Sequence, residues 1–202
     1  PGTLIDGIKY LPSSPLAVQA ATDVAVAYSD LTQAGTAISV ILSGQTLIPG
    51  VYTTGAASSF VASGVLTLDG GGDPNALFII RIGGALSTGV SSSVNLINSA
   101  SPRNVYWQVD GAFSLGDNSV FVGTMIATNA VELLEGSSVI GRVLSREGAI
   151  SLHNNIVTLF PEDAGTISGT ANVCQEQTGV SYSVAAINRA TDYIWTLPAG
   201  AS

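Results

Sequence analysis

The chain has 202 residues, of which 46% are hydrophobic and 10% charged, and its 14 acidic and 6 basic residues give a net charge of −8. So few Lys and Arg residues argue against binding to a nucleic-acid backbone, and an apolar composition with 23 glycines argues against a disordered chain. No stretch offers the roughly 18 uninterrupted apolar residues of a membrane span, because Arg81 ends the run at 76–80.

One helix is predicted near the start of the chain, after an irregular lead-in over residues 1–12. Ser14 is placed to act as the N-cap, Pro15 suits the first helical position, and Gly35 supplies a stop. Apolar residues recur between them at helical spacing, at Leu16, Ala20, Val24, Ala27 and Leu31. We therefore expect a helix over about 15–32 that lies against the flank of the remaining domain.

Residues 37 to about 158 are predicted to form short strands that are joined by tight turns. A Pro-Gly pair at 49–50 precedes one strand, and the glycine-rich stretch at 69–75 is a strong loop signal. Alternation over 104–109 places Trp107 on the buried face of its strand, where it is expected to anchor the core.

A short pattern recurs five times in this region and indicates the fold. Its copies align one apolar column, made of Leu66, Leu86, Phe113, Val131 and Ile150. The next column is mostly small and polar, made of Thr67, Ser87, Ser114, Glu132 and Ser151. Because side chains alternate along a strand, one column faces a core and the other faces outward. Such a recurrence predicts stacked coils, which form an irregular β-solenoid.

The outward column is the candidate binding surface of the chain. Parallel strands stack about 4.7–4.9 Å apart, so this row suits an extended, repetitive partner better than a small substrate. The plain alternative is a solvated strand face without a partner. Glu132 interrupts the row, and a carboxylate resists losing its hydration against a partner. A second row is conceivable from Thr53, Thr54, Thr124 and Thr128, although the sequence does not say that they align.

Metal, cofactor and catalytic sites are not indicated. Asp69 and Asp73 flank three glycines and offer two carboxylates for calcium, but a plain turn explains them better. His153 is the single histidine, and no nucleophile motif accompanies it, so the chain is not expected to be an enzyme. Carbohydrate binding usually needs exposed aromatic residues, for which Tyr52, Tyr106 and Tyr193 are the candidates.

The composition shifts at 161–165, which indicates a linker between two domains. Residues 173–184 and 193–198 look like strands of a new β unit, and two or three strands make only part of a sandwich. The expected organisation is a domain over 1–160 and the truncated start of a second over 161–202. The single Cys174 cannot form an internal disulfide, and the low charge with many Ser and Thr residues favours an exported protein.

The motifs of the first domain resemble the ice-binding-protein-like β-solenoids, a family of secreted microbial domains. The matching stretches lie at 20–31, 47–52, 66–70, 76–80, 104–109 and 141–144, and the resemblance covers roughly residues 1–158. The tail from Gly165 resembles the opening of a PKD-like or immunoglobulin-like module. The family also has N-terminal strands that precede the point where this chain begins, and their loss would leave strand edges open to other chains.

The resemblance implies a non-catalytic protein, an all-β fold with one long helix, and a partial β-sandwich at the C-terminus. The expected function is an exported structural or adhesive module at the cell surface, which self-assembles by strand addition with other copies of itself. The alternative is ice binding by the flat Ser and Thr face, with an extended surface of ice or polymer as the partner. An inward Glu132 would favour ice.

Overall fold

Parallel strands that stack coil upon coil form the three faces of a β-solenoid. The computed structural model describes residues 10–160, 165–170 and 178–187, and the chain divides into compact units over residues 1–158 and 159–202. In each coil the chain passes through the three faces in the same order, and equivalent strands pair in parallel. The prediction of a β-solenoid with one flanking helix is confirmed.

The solenoid has a helix-covered face, a serine face and a third face. The helix-covered face contains β1 (Thr36–Ala37), β3 (Gly50–Thr53), β6 (Phe78–Ile82), β9 (Val105–Val109) and the second halves of β11 (Val120–Ala127) and β13 (Ser138–Ser145). The serine face contains β4 (Ser58–Phe60), β7 (Leu86–Thr88), β10 (Phe113–Leu115), β12 (Val131–Leu133) and β14 (Ile150–Leu152). The third face contains β2 (Thr46–Leu47), β5 (Val65–Asp69), β8 (Ser93–Ile97), the first halves of β11 and β13, and β15 (Ile156–Thr158).

Two long strands belong to two faces each because glycines let them bend. In β11 the bend falls at Gly123, with φ 111°, and in β13 it falls at the paired Gly141, with φ 141°. Both angles lie in a region that side chains other than glycine avoid. A Cβ atom added at Gly141 would also collide with the backbone of Gly123 on the neighbouring coil. The corner between the third face and the helix-covered face therefore depends on glycine here.

Aromatic side chains fill the centre of the solenoid. Trp107 is fully buried, as the sequence predicts, and its ring centroid lies 4.8 Å from that of Phe121. Phe121 in turn lies 5.0 Å from Phe113. The indole Nε1 of Trp107 donates to the carbonyl of Val122 at 3.0 Å, which satisfies its one polar atom. This cluster joins strands from all three faces.

The helix α1 (Pro15–Asp30) lies on the outer side of the helix-covered face. It begins as predicted, because the Ser14 hydroxyl accepts a hydrogen bond from the Ala17 N–H at 3.2 Å. It ends at Asp30, earlier than predicted, and Leu31 forms its C-cap. Within the predicted apolar stripe, Val24 and Leu31 pack against the sheet, but Leu16 is exposed. Contact with the solenoid therefore rests on the C-terminal half of α1.

Tyr28 is the polar anchor of this helix. Its hydroxyl donates to the Asp110 carboxylate and accepts from the Thr128 hydroxyl at 3.0 Å. The Arg146 guanidinium lies 4.5 Å from the centre of the Tyr28 ring. Gln108 also donates to the Tyr28 carbonyl at 3.1 Å. Burial, and then the hydrogen bond to Asp110, raise the pKa of Tyr28 above its usual 10.0.

We expect Tyr28→Phe to lower the free energy of unfolding by about 1–2 kcal/mol, because it removes two hydrogen bonds that hold α1. A raised folded-state pKa means that this contribution is fully present below pH 10 and is lost as pH rises through the raised value. Chemical denaturation of both proteins between pH 7 and 11 should show the gap narrowing above pH 10. Tyr106→Phe, on the sheet side of the same interface, is the matched control and should cost less.

Thr67 does not belong to the predicted outward row. It lies on β5 in the third face, where it pairs with Thr46 and Asn95. Ser59 takes its place on the serine face, where β4 pairs with β7 and Ser59 aligns with Ser87. The error arises because two strands of one coil share the same alternation, and a turn at 61–64 separates them.

The second unit contributes one antiparallel pair among its described residues. Strand β16 (Ser168–Gly169) pairs with β17 (Tyr182–Ser183), and the Tyr182 hydroxyl donates to the Thr170 carbonyl at 2.9 Å. Cys174, Tyr193 and the strand predicted at 193–198 lie outside the described residues.

Candidate functional site

The serine face presents two parallel columns of small side chains. Ser59, Ser87, Ser114, Glu132 and Ser151 occupy the outward position of successive strands in direct register. Two positions before each of these residues, directly ahead of its strand, lies an alanine, at Ala57, Ala85, Ala112, Ala130 and Ala149. The carbonyls of the last four alanines each accept a backbone hydrogen bond from the preceding coil, at 2.9–3.0 Å. Because methyl and hydroxymethyl groups project little, the face is flat and its repeat is that of the strands.

A repeated corner fixes the serine face to the third face. In the five coils that carry the row, the turn contains one residue in the left-handed region, at Ser63, Ser91, Asn118, Gly136 and Asn154, with φ between 52° and 67°. Asn and Gly tolerate this conformation well. The following residue is glycine, serine or asparagine, and it is buried in all but the last of these coils, where it is half-buried. A recurring corner of this kind keeps the equivalent strands of successive coils in register.

Buried hydroxyl groups tie these corners together. Ser119 is buried, and its hydroxyl donates to the Gly89 carbonyl at 2.9 Å and accepts from the Ser92 N–H at 3.1 Å. Ser137, also buried, accepts a hydrogen bond from the Asn155 amide at 2.8 Å. Buried polar groups that are satisfied in this way rigidify a structure. The serine face is therefore backed by a stiff edge.

Glu132 points outward and lies in the row between Ser114 and Ser151. Its side chain is 52% exposed, and its Oε1 lies 3.8 Å from Nε2 of His153, which is 49% exposed. Nearby, the Glu135 carboxylate accepts a hydrogen bond from the Asn154 amide at 2.8 Å. The row is thus uncharged over its first three coils and carries a charge at the fourth.

The threonines proposed for a second row do not form one. Thr53 pairs with Arg81, and the residue of β11 in the same column is Ile126. Thr124 lies two positions before Ile126 and pairs with Tyr106. Thr124 also lines a groove of about 390 Å³ beside α1, so the helix restricts access to it. Thr54 donates to the Ala56 carbonyl at 2.8 Å, and the Thr128 hydroxyl is engaged with Tyr28.

Asp69 and Asp73 cap backbone turns in the loop that they flank. The Asp69 carboxylate accepts from the Gly71 N–H and from the Asn98 amide, both at 2.9 Å, and the first of these bonds lowers the pKa of Asp69. The Asp73 carboxylate accepts from the Asn75 N–H at 2.8 Å. Within the described part of the chain, no cluster of three His, Cys, Asp or Glu residues could hold a metal ion. Turn formation accounts for both aspartates.

The aromatic candidates are covered where the structure describes them. Tyr52 is buried, and its hydroxyl donates to the Ile48 carbonyl at 2.7 Å. Tyr106 is half-buried beneath α1. Neither ring offers an open stacking platform for a sugar.

Sequence reasoning missed Ser59 and the alanine column. The alanines carry a visible signal, since Ala85, Ala112, Ala130 and Ala149 each stand directly before the recurring strand. Ser59 carries a weaker one, because the polar Ser58 occupies the inward position where the other coils have Leu, Phe, Val or Ile.

Known proteins resemble this chain over most of its length. The Ice-binding-like family model matches residues 3–158, and a PKD-like domain model matches residues 160–202. An ice-binding protein of Nostoc sp. (strain HG1) is 36% identical over 162 residues, which is 78% of this chain and 59% of that protein. Ice-binding protein 1 of Shewanella frigidimarina is 38% identical over 147 residues, 69% of this chain and 16% of the relative. The chain thus spans 59% and 16% of these two relatives.

Solved structures give the same result. The domain of Shewanella frigidimarina ice-binding protein 1 superposes with a TM-score of 0.67 at 34% identity, covering 74% of this chain and 67% of that one. An ice-binding protein from an Antarctic Flavobacteriaceae bacterium gives a TM-score of 0.70 at 38% identity, covering 76% and 37%. In the described residues, no helix is long and apolar enough to cross a membrane. The chain belongs to the Ice-binding-like family and continues into a PKD-like domain.

Proposed function

We propose that the protein binds ice through its serine face. The observation that carries this proposal is the in-register pairing of β4, β7, β10, β12 and β14, which turns Ala and Ser side chains into a flat, regular surface. Relatives that are described as ice-binding proteins support the same function. The outward Glu132 is not the orientation that would have favoured ice, so it is the family and these relatives that make ice, rather than adhesion, our leading function.

The chemistry of the two columns suits a surface of ordered water. Methyl groups lose their hydration readily, which favours burial against a solid, and each serine hydroxyl can both donate and accept a hydrogen bond. The stiff corner keeps these groups in place, so little conformational freedom remains to be lost on binding. An extended, repeating partner gains from every coil, whereas a small ligand would contact only one or two.

The same surface suits an exported protein without catalytic activity. An exported protein can reach ice that forms outside the cell. The low charge and the high Ser and Thr content fit that location. The chemistry proposed for the face is adsorption, for which no proton transfer or nucleophile is required.

The test is thermal hysteresis and ice-crystal shaping with the full 202-residue chain. Faceted crystals and a concentration-dependent freezing gap are expected. A heat-denatured sample of the same concentration is the control, because it keeps the composition and loses the face. Round crystals and no gap from folded protein would contradict ice binding.

A second candidate function, self-assembly, is supported by one end of the solenoid. Ile150 and Leu152 point toward the core like Val131 and Leu133 on the previous coil, yet they are 47% and 49% exposed where their counterparts are each 1% exposed. Among the described residues, no strand pairs with the outer edge of β14 or β15. Open apolar strand edges accept further strands. We infer that this end accepts the opposite edge of a second copy, head to tail.

Light scattering on the sample used for the ice assay tests this assembly. Wild type is expected to form species larger than a monomer, and Leu152→Asp to shift them to monomer. Val26→Asp, at an exposed position of α1, is the control for an added charge. A monomeric wild type at high concentration would rule out assembly through this end and would leave ice binding untouched.

A further inference from the structure

The third face carries its own continuous outward column. Val65, Ser93, Val120, Ser138 and Ile156 pair directly from coil to coil. Each of these five follows its counterpart on the serine face by five or six residues, so the two columns run side by side. Their side chains supply only methyl groups and hydroxyl groups, and three of them are exposed: Val65, Val120 and Ile156.

Charge is almost absent from this face. The carboxylate of Asp69, at the far end of β5, is the exception, and it is bound to the Gly71 N–H and the Asn98 amide. The remaining described acidic residues lie on α1, in turns, or on the serine face, where Glu132 stands in the row. In a chain with a net charge of −8, the outward column of the third face therefore contains no charged residue, and Asp69 is the one described carboxylate on the strands of that face.

The two columns are joined by the repeated corner. Four or five residues separate the columns in each coil, and they include one left-handed residue, from Ser63 to Asn154, followed by one residue at the inward position. Buried contacts such as that between Ser119 and Ser92 fix the corner from inside. Because a left-handed residue recurs at the same place in each corner, the two columns stay adjacent from coil to coil.

We propose that the third face is a second ice-contacting surface, which lets the protein engage a different ice plane from the one bound by the serine face. This inference rests on the proposed ice binding and extends it to a new surface. The partner is a lattice of ordered water, since the column has the same repeat as the serine face, methyl and hydroxyl groups, and no ion to keep hydrated. Because Val65, Val120 and Ile156 are exposed, an extended partner can reach the column at both ends and in the middle.

The experiment compares four fluorescently labelled proteins on a single-crystal ice hemisphere. They are wild type, Ser87→Tyr on the serine face, Ser138→Tyr on the third face, and Ser29→Tyr at an exposed position of α1. Wild type and Ser29→Tyr are expected to stain two sets of planes. Ser87→Tyr and Ser138→Tyr should each lose a different set. Asn95→Tyr, an exposed position of the third face, replaces Ser138→Tyr if thermal melting shows that the latter does not fold.

Each other outcome decides between the two proposals. No staining by wild type would overturn ice binding and this inference together. If Ser87→Tyr lost all staining and Ser138→Tyr stained like wild type, ice binding by the serine face would stand and ice binding by the third face would be overturned. A Ser138→Tyr protein with unchanged staining but reduced self-association in light scattering would assign the third face to a second copy and would also overturn the inference.

Discussion

Replacing Ser87 by tyrosine is expected to remove most of the thermal hysteresis that the serine face produces. Ser87 is exposed at the centre of the uncharged part of the row, between Ser59 and Ser114. A tyrosine ring there would stand above the neighbouring alanine and serine side chains and hold a flat lattice away from them. Because each coil contributes a small contact, lifting several coils at once removes most of the adhesion at the serine face.

Ser29→Tyr provides the control for the Ser87 substitution. Ser29 is exposed on α1, and the helix lies on a face other than the serine face, so the same change should leave thermal hysteresis intact. Circular dichroism and melting must show both variants folded. Equal activity of Ser87→Tyr and wild type, with both folded, would place the ice-binding surface elsewhere on the molecule.

The architecture could be predicted from the sequence because its signals are local and repeated. A recurring apolar and polar alternation marks stacked coils, and Ser14 with Pro15 marks the start of α1. Trp107 could be assigned to the core because it alternates with Val105 and Val109 on one face of its strand, and a large aromatic side chain on such a face is usually buried. These features need no knowledge of which strands meet.

The composition of the row could be predicted only in part. Thr67 matches the recurring pattern as well as Ser87 does, but pattern alone does not state which of three faces a strand joins. The turn before Val65 assigns this strand to the third face. The sequence does not signal that turn, because its left-handed residue is Ser63 and serine rarely adopts this conformation. Alternation thus predicts inside and outside, whereas assignment to a face depends on the corners.

The loss of Thr124 as a candidate has a different cause. Its outward position is compatible with binding until α1 packs over that face, and this packing is a tertiary contact that involves Tyr28 and Leu31. Once the helix occupies one face, two faces remain for a partner. The position of the carboxylate then separates them, because Glu132 stands within the row of the serine face, whereas Asp69 lies at the far end of β5 on the third face.

Glu132→Ser is expected to raise thermal hysteresis by about threefold or more. Bringing ice against the row requires the carboxylate to give up part of its water, and stripping an unpaired charge costs up to several kcal/mol. His153, at 3.8 Å and also exposed, offsets little of that cost, because surface ion pairs contribute about 0–1 kcal/mol. Serine would extend the uncharged row from Ser59 to Ser151 without interruption.

Two further variants separate charge from shape at this position. Glu132→Gln keeps the length of the side chain and removes its charge, so it should show part of the rise in thermal hysteresis expected for Glu132→Ser. Glu132→Asp keeps the charge and should show little of that rise. Glu147→Ser removes the same charge from an exposed position next to Arg146, outside the row, and should leave activity unchanged. A gain from Glu147→Ser equal to that from Glu132→Ser would point to net charge as the cause. No gain from either would mean that ice meets the serine face only at the coils of Ser59, Ser87 and Ser114, or meets the third face instead, which the staining of Ser138→Tyr distinguishes.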